Sequence, residues 1–205
     1  MDILNRLAAW TNLFIRRHPS RWLYSDRFLG SYIDEHEIAF FTRDWGDGVI
    51  WDVGASIGKY TTIMAKSSPQ AKVFAFEPNL NSLYYLAFRT AKFTNVAIVP
   101  NALTADGGLL KGSYDPDFNA PATGPMLATI SLREAIAKSG PPKFVKMDIE
   151  GGEYSIFESA DAKLLCGATI LVTWHPTFVG KPIPDEVNGW KSQRLASDIT
   201  LLSPL

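Results

Sequence analysis

The stretch Val49 to Gly58, V-I-W-D-V-G-A-S-I-G, decides how the rest of the chain is read. Its apolar start predicts a short strand buried on both faces, as in a parallel sheet. Asp52 is the last polar group of that strand. Gly54-Ala55-Ser56-Ile57-Gly58 follows as a glycine-spaced turn whose backbone can approach a ligand closely. A helical pattern runs from there to Lys66. A second apolar strand, Lys72 to Phe76, ends at Glu77. An acid at the end of the second strand, roughly 20 residues past a glycine turn, is where nucleotide-type folds grip a ribose diol. Strand, turn and acid together point to a small ligand with an adenosine half.

Outward from this unit the chain alternates. Strands are predicted at 49–53, 72–76, 96–99, 143–147 and 168–173, and helices at 57–66, 80–92 and 153–160. Asn79, after Pro78, reads as the N-cap of the second helix. The alternation predicts an α/β fold, a mostly parallel central sheet with helices on both faces. Residues 1–45 read as a helical N-terminal extension closed by the turn Trp45-Gly46-Asp47-Gly48, and 46–205 as the α/β core of a single domain. Between Ala105 and Pro125 the chain is rich in Gly, Pro, Asp and Asn, with a strand-like piece at Leu109 to Ser113. Loops of that length are usually functional or mobile. Leu127 to Ile130 is a candidate partner strand, and Ser131 caps a helix ending near Ser139. After His175, Lys191 to Ala196 reads as a helix and Ile199 to Leu202 as one strand. The C-terminal edge is therefore expected to be shortened, leaving about six core strands.

The composition, 46% hydrophobic and 20% charged over 205 residues, is that of an ordinary globular protein. A net charge of −1 gives no broad attraction to nucleic acid, and no nucleic-acid partner is expected. The single cysteine, Cys166, excludes an internal disulfide, reads as a buried small hydrophobe and fits a reducing, cytoplasmic setting. No apolar run reaches about 18 residues, so no transmembrane helix is expected. Ile3, Leu7, Trp10 and Phe14 share one helical face, with Arg6, Arg16, Arg17 and Arg21 nearby. That helix either packs on the following domain or touches a membrane surface through residues 1–17.

Strand, glycine turn and acid also leave an NAD-dependent oxidoreductase as a rival, but the turn lacks the middle glycine that admits a pyrophosphate in dinucleotide folds. Asp52 and Glu77 suit a cationic ligand instead. S-adenosyl-L-methionine carries an ammonium, a sulfonium and an adenosine ribose. Asp148, Glu150 and Glu153 form a further acidic group, but no histidine or additional acid is spaced to complete a metal site, and no metal is expected. Glu150 and Glu153 read as acids that hold their loop and favour the positive N-terminus of the next helix.

Asp52 to Gly58 resembles motif I of class I S-adenosylmethionine-dependent methyltransferases. F-E-P at Phe76 to Pro78 and K-M-D-I-E-G-G-E at Lys146 to Glu153 resemble the FkbM-type methyltransferase family, as does A-T-I-S-L-R-E-A-I at Ala128 to Ile136. The resemblance spans about residues 30 to 176 and implies a Rossmann-like class I methyltransferase sandwich. It implies that Gly54, Ala55 and Gly58 shape the loop around the methionine part of the cofactor. Asp52 would order that end through the amino group or a water, or else only cap the next helix. Glu77 would accept both ribose hydroxyls, with Pro78 setting the turn, or be a solvated strand-end charge. Asn101 and Ala102 stand where the adenine edge is met, although asparagine after a strand is also ordinary turn chemistry. Asp148 would face the methyl end.

Asp148 and His175 end neighbouring central strands and are the candidates for a general base, or His175 simply ends its strand before Pro176. The family commonly ends its fifth strand with an acid-histidine pair. Thr173-Trp174-His175 offers no acid, which argues against a glutamate-supported histidine. O-methylation of a sugar or natural-product hydroxyl is what the resemblance implies. Tyr114, Phe118, Trp174, Phe178 and Trp190 are candidates for an acceptor face, and core packing accounts for Trp174 equally well. A non-catalytic cofactor-binding protein derived from such an enzyme is the alternative.

Overall fold

Short runs of apolar, β-branched and aromatic residues alternate with amphipathic segments, and they build one seven-stranded sheet. The computed structural model describes residues 35–111 and 126–205. Residues 39–205 form one compact unit, and residues 1–38 a second, of which only the start of helix α1 (Glu35–Phe41) is described. The expected helical face of residues 1–17, with its possible membrane contact, lies outside the described residues. The compact unit begins before the expected boundary at Gly46 because Phe41 and Trp45 belong to its core. Phe41 is fully buried, and the Trp45 ring stacks on Phe144 at 4.6 Å.

Strand β1 (Val49–Val53) leads through α2 (Lys59–Ser67) to β2 (Lys72–Phe76), then through α3 (Leu80–Thr90) to β3 (Val96–Val99). Asn79 caps α3 as predicted, accepting from the amides of Asn81 and Ser82. After β4 (Ala102–Thr104), β5 (Leu109–Lys111) and β6 (Met126–Ser131), helix α4 (Leu132–Ser139) returns the chain to β7 (Phe144–Met147). Ser131 and Glu134 close a capping box at the start of α4. Helix α5 (Gly152–Glu158) and a 3₁₀ segment (Ala160–Leu165) precede β8 (Thr169–Thr173). The one-turn helix α6 (Pro176–Val179) is followed by β9 (Trp190–Arg194) and β10 (Ile199–Pro204).

The sheet order is β3-β2-β1-β7-β8-β10-β9, with β10 antiparallel to both β8 and β9 and the other pairs parallel. The small strands form a separate three-stranded sheet, β4-β6-β5, in which Leu109–Lys111 pairs with Met126–Ser131 as the sequence suggested. The chain leaves β1 toward β2 and β3, then re-enters on the other side at β7. That reversal places a crevice beyond the C-terminal ends of β1 and β7.

The expected C-terminal helix at Lys191 to Ala196 is a strand instead. W-K-S-Q-R has the composition of a helix, but its backbone pairs with β10 from Thr200↔Arg194 to Pro204↔Trp190. Its exposed Lys191, Gln193 and Arg194 suit an edge strand, and tertiary pairing overrides a weak intrinsic preference. The sheet thus has seven strands rather than about six. What is short at this edge is the helix between β8 and β9.

The main core lies on one sheet face, where Trp51, Val53, Val145, Met147, Ile170 and Val172 meet Leu132, Ile156 and Leu165. The opposite face of β1 and β7 carries Asp52 and Lys146, which are register partners in the parallel ladder. A charged pair in the layer beneath a helix is unusual, and it lies next to the crevice.

Candidate active site

Glycine is required at position 54. Its φ is +81°, and a Cβ there would lie 1.9 Å from the carbonyl oxygen of Asp148. The amides of Gly54 and Ala55 both donate to the Phe76 carbonyl at 3.0 Å, and the Asp148 amide donates to Val53 at 3.0 Å. The ends of β1, β2 and β7 are therefore drawn together through backbone alone. Gly58, with φ +84°, lets α2 approach α3, since a Cβ would meet Leu86 at 2.8 Å. Ala55 is buried beside Ala75 and Leu86.

Ser56 adopts a left-handed conformation, φ 49°, which turns its amide toward the end of β2. That N–H donates to Oε2 of Glu77 at 2.7 Å, and the Asn79 amide donates to Oε1 at 2.8 Å. Pro78 sits between the two and is half-buried. Glu77 is 7% exposed, and burial pushes its carboxyl up from the ordinary range against the pull of those two amides. A carboxylate offers about four acceptor positions, so each oxygen retains one for a further hydroxyl.

Asp52 is fully buried. One oxygen accepts from the hydroxyl of Thr61 on α2; the other, Oδ1, has no hydrogen-bond partner among the described residues. Lys146, 3% exposed, brings its ammonium to 3.8 Å from that oxygen and 3.3 Å from Oδ2 of Asp148. It also donates to the Gly54 carbonyl at 3.2 Å and lies 5.1 Å from the Tyr60 ring centroid. Desolvation raises the Asp52 carboxyl, while Lys146 and Thr61 oppose that rise. Lys146 and Thr61 carried no expectation from the sequence. The signal for Lys146 was available: a lysine inside F-V-K-M, two residues before Asp148 and so on the same strand face.

Oδ1 of Asp148 lies 3.5 Å from Nε2 of His175, and the other ring nitrogen, Nδ1, lies 2.8 Å from Oε1 of Glu153. A glutamate-supported histidine is thus present, against the expectation drawn from Thr173-Trp174-His175. The acid comes from the first turn of α5, through space rather than along β8. Glu153 is fully buried and accepts the amides of Ile149 at 2.9 Å and Gly151 at 2.8 Å, so it also holds its loop as predicted. Those amides donate to the Glu153 oxygens, and the tautomer of His175 with its hydrogen on Nδ1 completes the set of donors to Oε1. The hydrogen bond to Glu153 raises the His175 pKa above its ordinary value, the fields of Asp148 and Glu150 add to it, and burial opposes it. Glu150 stands in a left-handed conformation, φ 60°, at the exposed tip of the same loop.

The crevice thus assembles Gly54, Glu77, Asp148 and His175 at the ends of four neighbouring strands, with Asp52 beneath them. Asn101 is otherwise engaged: its side-chain amide donates to the Thr129 carbonyl at 3.2 Å, tying the β3–β4 turn to β6. Ala102 begins β4 and pairs with Thr129. Trp174 and Trp190, 2% and 5% exposed, are core residues; each donates its indole N–H internally, to Thr200 and Ala168. This corrects their place on an acceptor face. Phe178 is 46% exposed and stacks parallel on the His175 ring, with centroids 5.5 Å apart. Tyr114 and Phe118 lie outside the described residues. Among the described residues, no three metal-ligating side chains converge.

Residues 52–190 match the methyltransferase FkbM domain. The chain belongs to the FkbM methyltransferase family. A hexuronic acid methyltransferase, AglP of Haloferax volcanii, is 28% identical over 168 residues, covering 77% of this chain and 67% of that protein. An rRNA methylase from Streptococcus thermophilus superposes with a TM-score of 0.51 at 11% identity, over 83% of this chain and 93% of its own. A proposed O-methyltransferase of Klebsiella pneumoniae gives 0.50 at 12% identity, over 96% of both chains. Those two structures share the Rossmann-like methyltransferase fold. The FkbM chain is thus a class I methyltransferase whose cofactor is S-adenosyl-L-methionine. Its own residues fit that cofactor: buried Oδ1 of Asp52 has no hydrogen-bond donor among the described residues, and Glu77 keeps acceptor capacity for a diol.

Proposed function

We propose that the protein methylates a hydroxyl of a sugar or natural-product acceptor. The observation that carries this reading is the Glu153–His175 pair, which leaves Nε2 of His175 pointing at Asp148 in the crevice. When bound, S-adenosyl-L-methionine supplies an electrophilic methyl group on a sulfonium. Glu77 accepts the ribose hydroxyls, and the loop from Gly54 to Gly58 surrounds the methionine part. Asp52 acts on that end indirectly, through Thr61 and Lys146. Asn101 and Ala102 close the adenine end by holding the β3–β4 turn.

Methyl transfer needs the two reactants held in line, and such alignment is worth roughly 7–11 kcal/mol. An alcohol must also lose its proton near the transition state, where a positioned base contributes about 10²–10⁴-fold. His175 takes that proton at Nε2, while Glu153 fixes the tautomer from Nδ1 and stabilises the imidazolium that forms. Asp148 orients the ring and the acceptor hydroxyl.

Phe178, half-exposed beside this imidazole, offers an apolar face to a sugar ring. The name of the Haloferax volcanii relative supports a carbohydrate acceptor. Among the described residues, no helix is long and apolar enough to cross a membrane. With a single, partly buried cysteine, a cytoplasmic setting is the reading adopted.

The test is transfer of label from methyl-labelled cofactor to a panel of carbohydrate alcohols. Product with an ether linkage supports the reading. Tight S-adenosylhomocysteine binding with no labelled acceptor would favour the non-catalytic alternative.

A further inference from the structure

A lysine inside a central strand is costly unless its charge is used, because an ammonium without partners shifts its pKa and neutralises. Lys146 is buried, yet its three donors face Asp148 at 3.3 Å, the Gly54 carbonyl at 3.2 Å and Asp52 at 3.8 Å. Tyr60 covers it with a ring 5.1 Å away. It thus reaches the turn after β1, the acid inside β1 and the acid after β7 at once. We propose that Lys146 is a positioning residue that holds Asp52, Asp148 and the Gly54 turn as one anionic, donor-ready surface.

This deepens the methyl-transfer reading and rests on it. Asp148 adds to the cost of ionising Asp52, and the Lys146 ammonium, 3.8 Å from one and 3.3 Å from the other, opposes that cost. The same ammonium favours the charged form of Glu77, so one cation acts on the acids at the ends of three strands. On the far side of Asp148 stands His175, itself flanked by Glu153 and Glu150. Without Lys146 this set carries five carboxylates against one imidazole. Protons then replace the missing ammonium, and the ligand's own ammonium, which S-adenosylhomocysteine shares with the methyl donor, meets a partly neutralised surface. An opposite charge within about 4–6 Å moves a carboxyl pKa by roughly 1–3 units, enough to bring protonation into the range of working pH.

The experiment is calorimetric titration of S-adenosylhomocysteine into wild type and Lys146→Met from about pH 5 to about pH 8.5. Wild-type affinity is expected to vary by less than about threefold over the upper half of that range, and Lys146→Met to lose about tenfold or more between its alkaline and acidic ends. Loss in Lys146→Met that is the same at every pH, or no loss, would overturn the proposal. If the variant does not fold, wild type alone decides. Binding heats near neutral pH should be the same in buffers of different ionisation enthalpy if Lys146 holds Asp52 and Glu77 in their charged forms. Proton uptake on binding would overturn the idea. Wild type that binds no S-adenosylhomocysteine at any pH contradicts the methyltransferase reading itself, a separate outcome.

Discussion

Glu153 and His175 come from different elements, the first turn of α5 and the end of β8, and meet at 2.8 Å. Twenty-two residues separate them, so no local pattern brings them together. Three constraints hold the glutamate: full burial and the amides of Ile149 and Gly151. A base supported in this way contributes about 10²–10⁴-fold to proton removal. His175→Gln is expected to lower kcat on a hydroxyl acceptor by that factor while S-adenosylhomocysteine affinity stays within about twofold. Equal kcat would remove His175 from the chemistry.

The same pair sets the pH dependence. Glu153 raises the His175 pKa, so the basic form of the imidazole exists only above a value higher than the ordinary one, about 6.5. The rate should rise with pH through that higher value, and in Glu153→Gln the limb should move to lower pH. Stability runs the other way. A histidine with a raised folded-state pKa contributes stability fully below the unfolded value, and loses it as pH rises through the folded one. Thermal unfolding of wild type against Glu153→Gln should therefore show a difference that shrinks from mildly acidic to alkaline pH. A difference that grows with pH would contradict this.

Gly54→Ala tests the strand junction. The left-handed φ of +81° and a Cβ placed 1.9 Å from the Asp148 carbonyl leave no local relief. The strain and the forced shift together predict a loss of about 2–5 kcal/mol in denaturant unfolding. A change under about 0.5 kcal/mol would mean that the ends of β1 and β7 are not held as described.

Phe178→Leu should raise KM for a cyclic sugar acceptor by about threefold to tenfold, the size of an aromatic contact, while leaving cofactor affinity unchanged. Equal KM for wild type and variant across a sugar panel would exclude the ring as an acceptor platform.

The fold was legible where the chain speaks locally. V-I-W-D-V, K-V-F-A-F and T-I-L-V-T are short apolar runs closed by turns, and each is a strand. Asn79 and Ser131 cap helices as their positions suggest. Trp190–Arg194 was misread because its polar composition carries no strand period, and only pairing with β10 makes it one. In the site, Gly54 and Glu77 could be placed from spacing, since both follow strands directly. The support of His175 by Glu153 could not, because a contact between α5 and β8 has no signature along the chain. Lys146 was visible as a lysine in a buried strand, but its partners on β1 follow only from the Asp52↔Lys146 register. Trp174 and Trp190 lie in the core, a placement set by which side of a strand end faces it, and that side has no signature along the chain.

Glu77, held by the Ser56 and Asn79 amides, is expected to receive the ribose of S-adenosyl-L-methionine. Charge-assisted hydrogen bonds of this kind contribute about 1.5–3 kcal/mol, or roughly 10- to 150-fold in affinity. Calorimetry with S-adenosylhomocysteine measures it directly. Wild type is expected to bind one to one, Glu77→Ala to bind more weakly by that factor with thermal unfolding confirming the variant's fold, and NAD not to bind comparably. Equal affinity of the folded variant, or a preference for NAD, would contradict the ribose assignment.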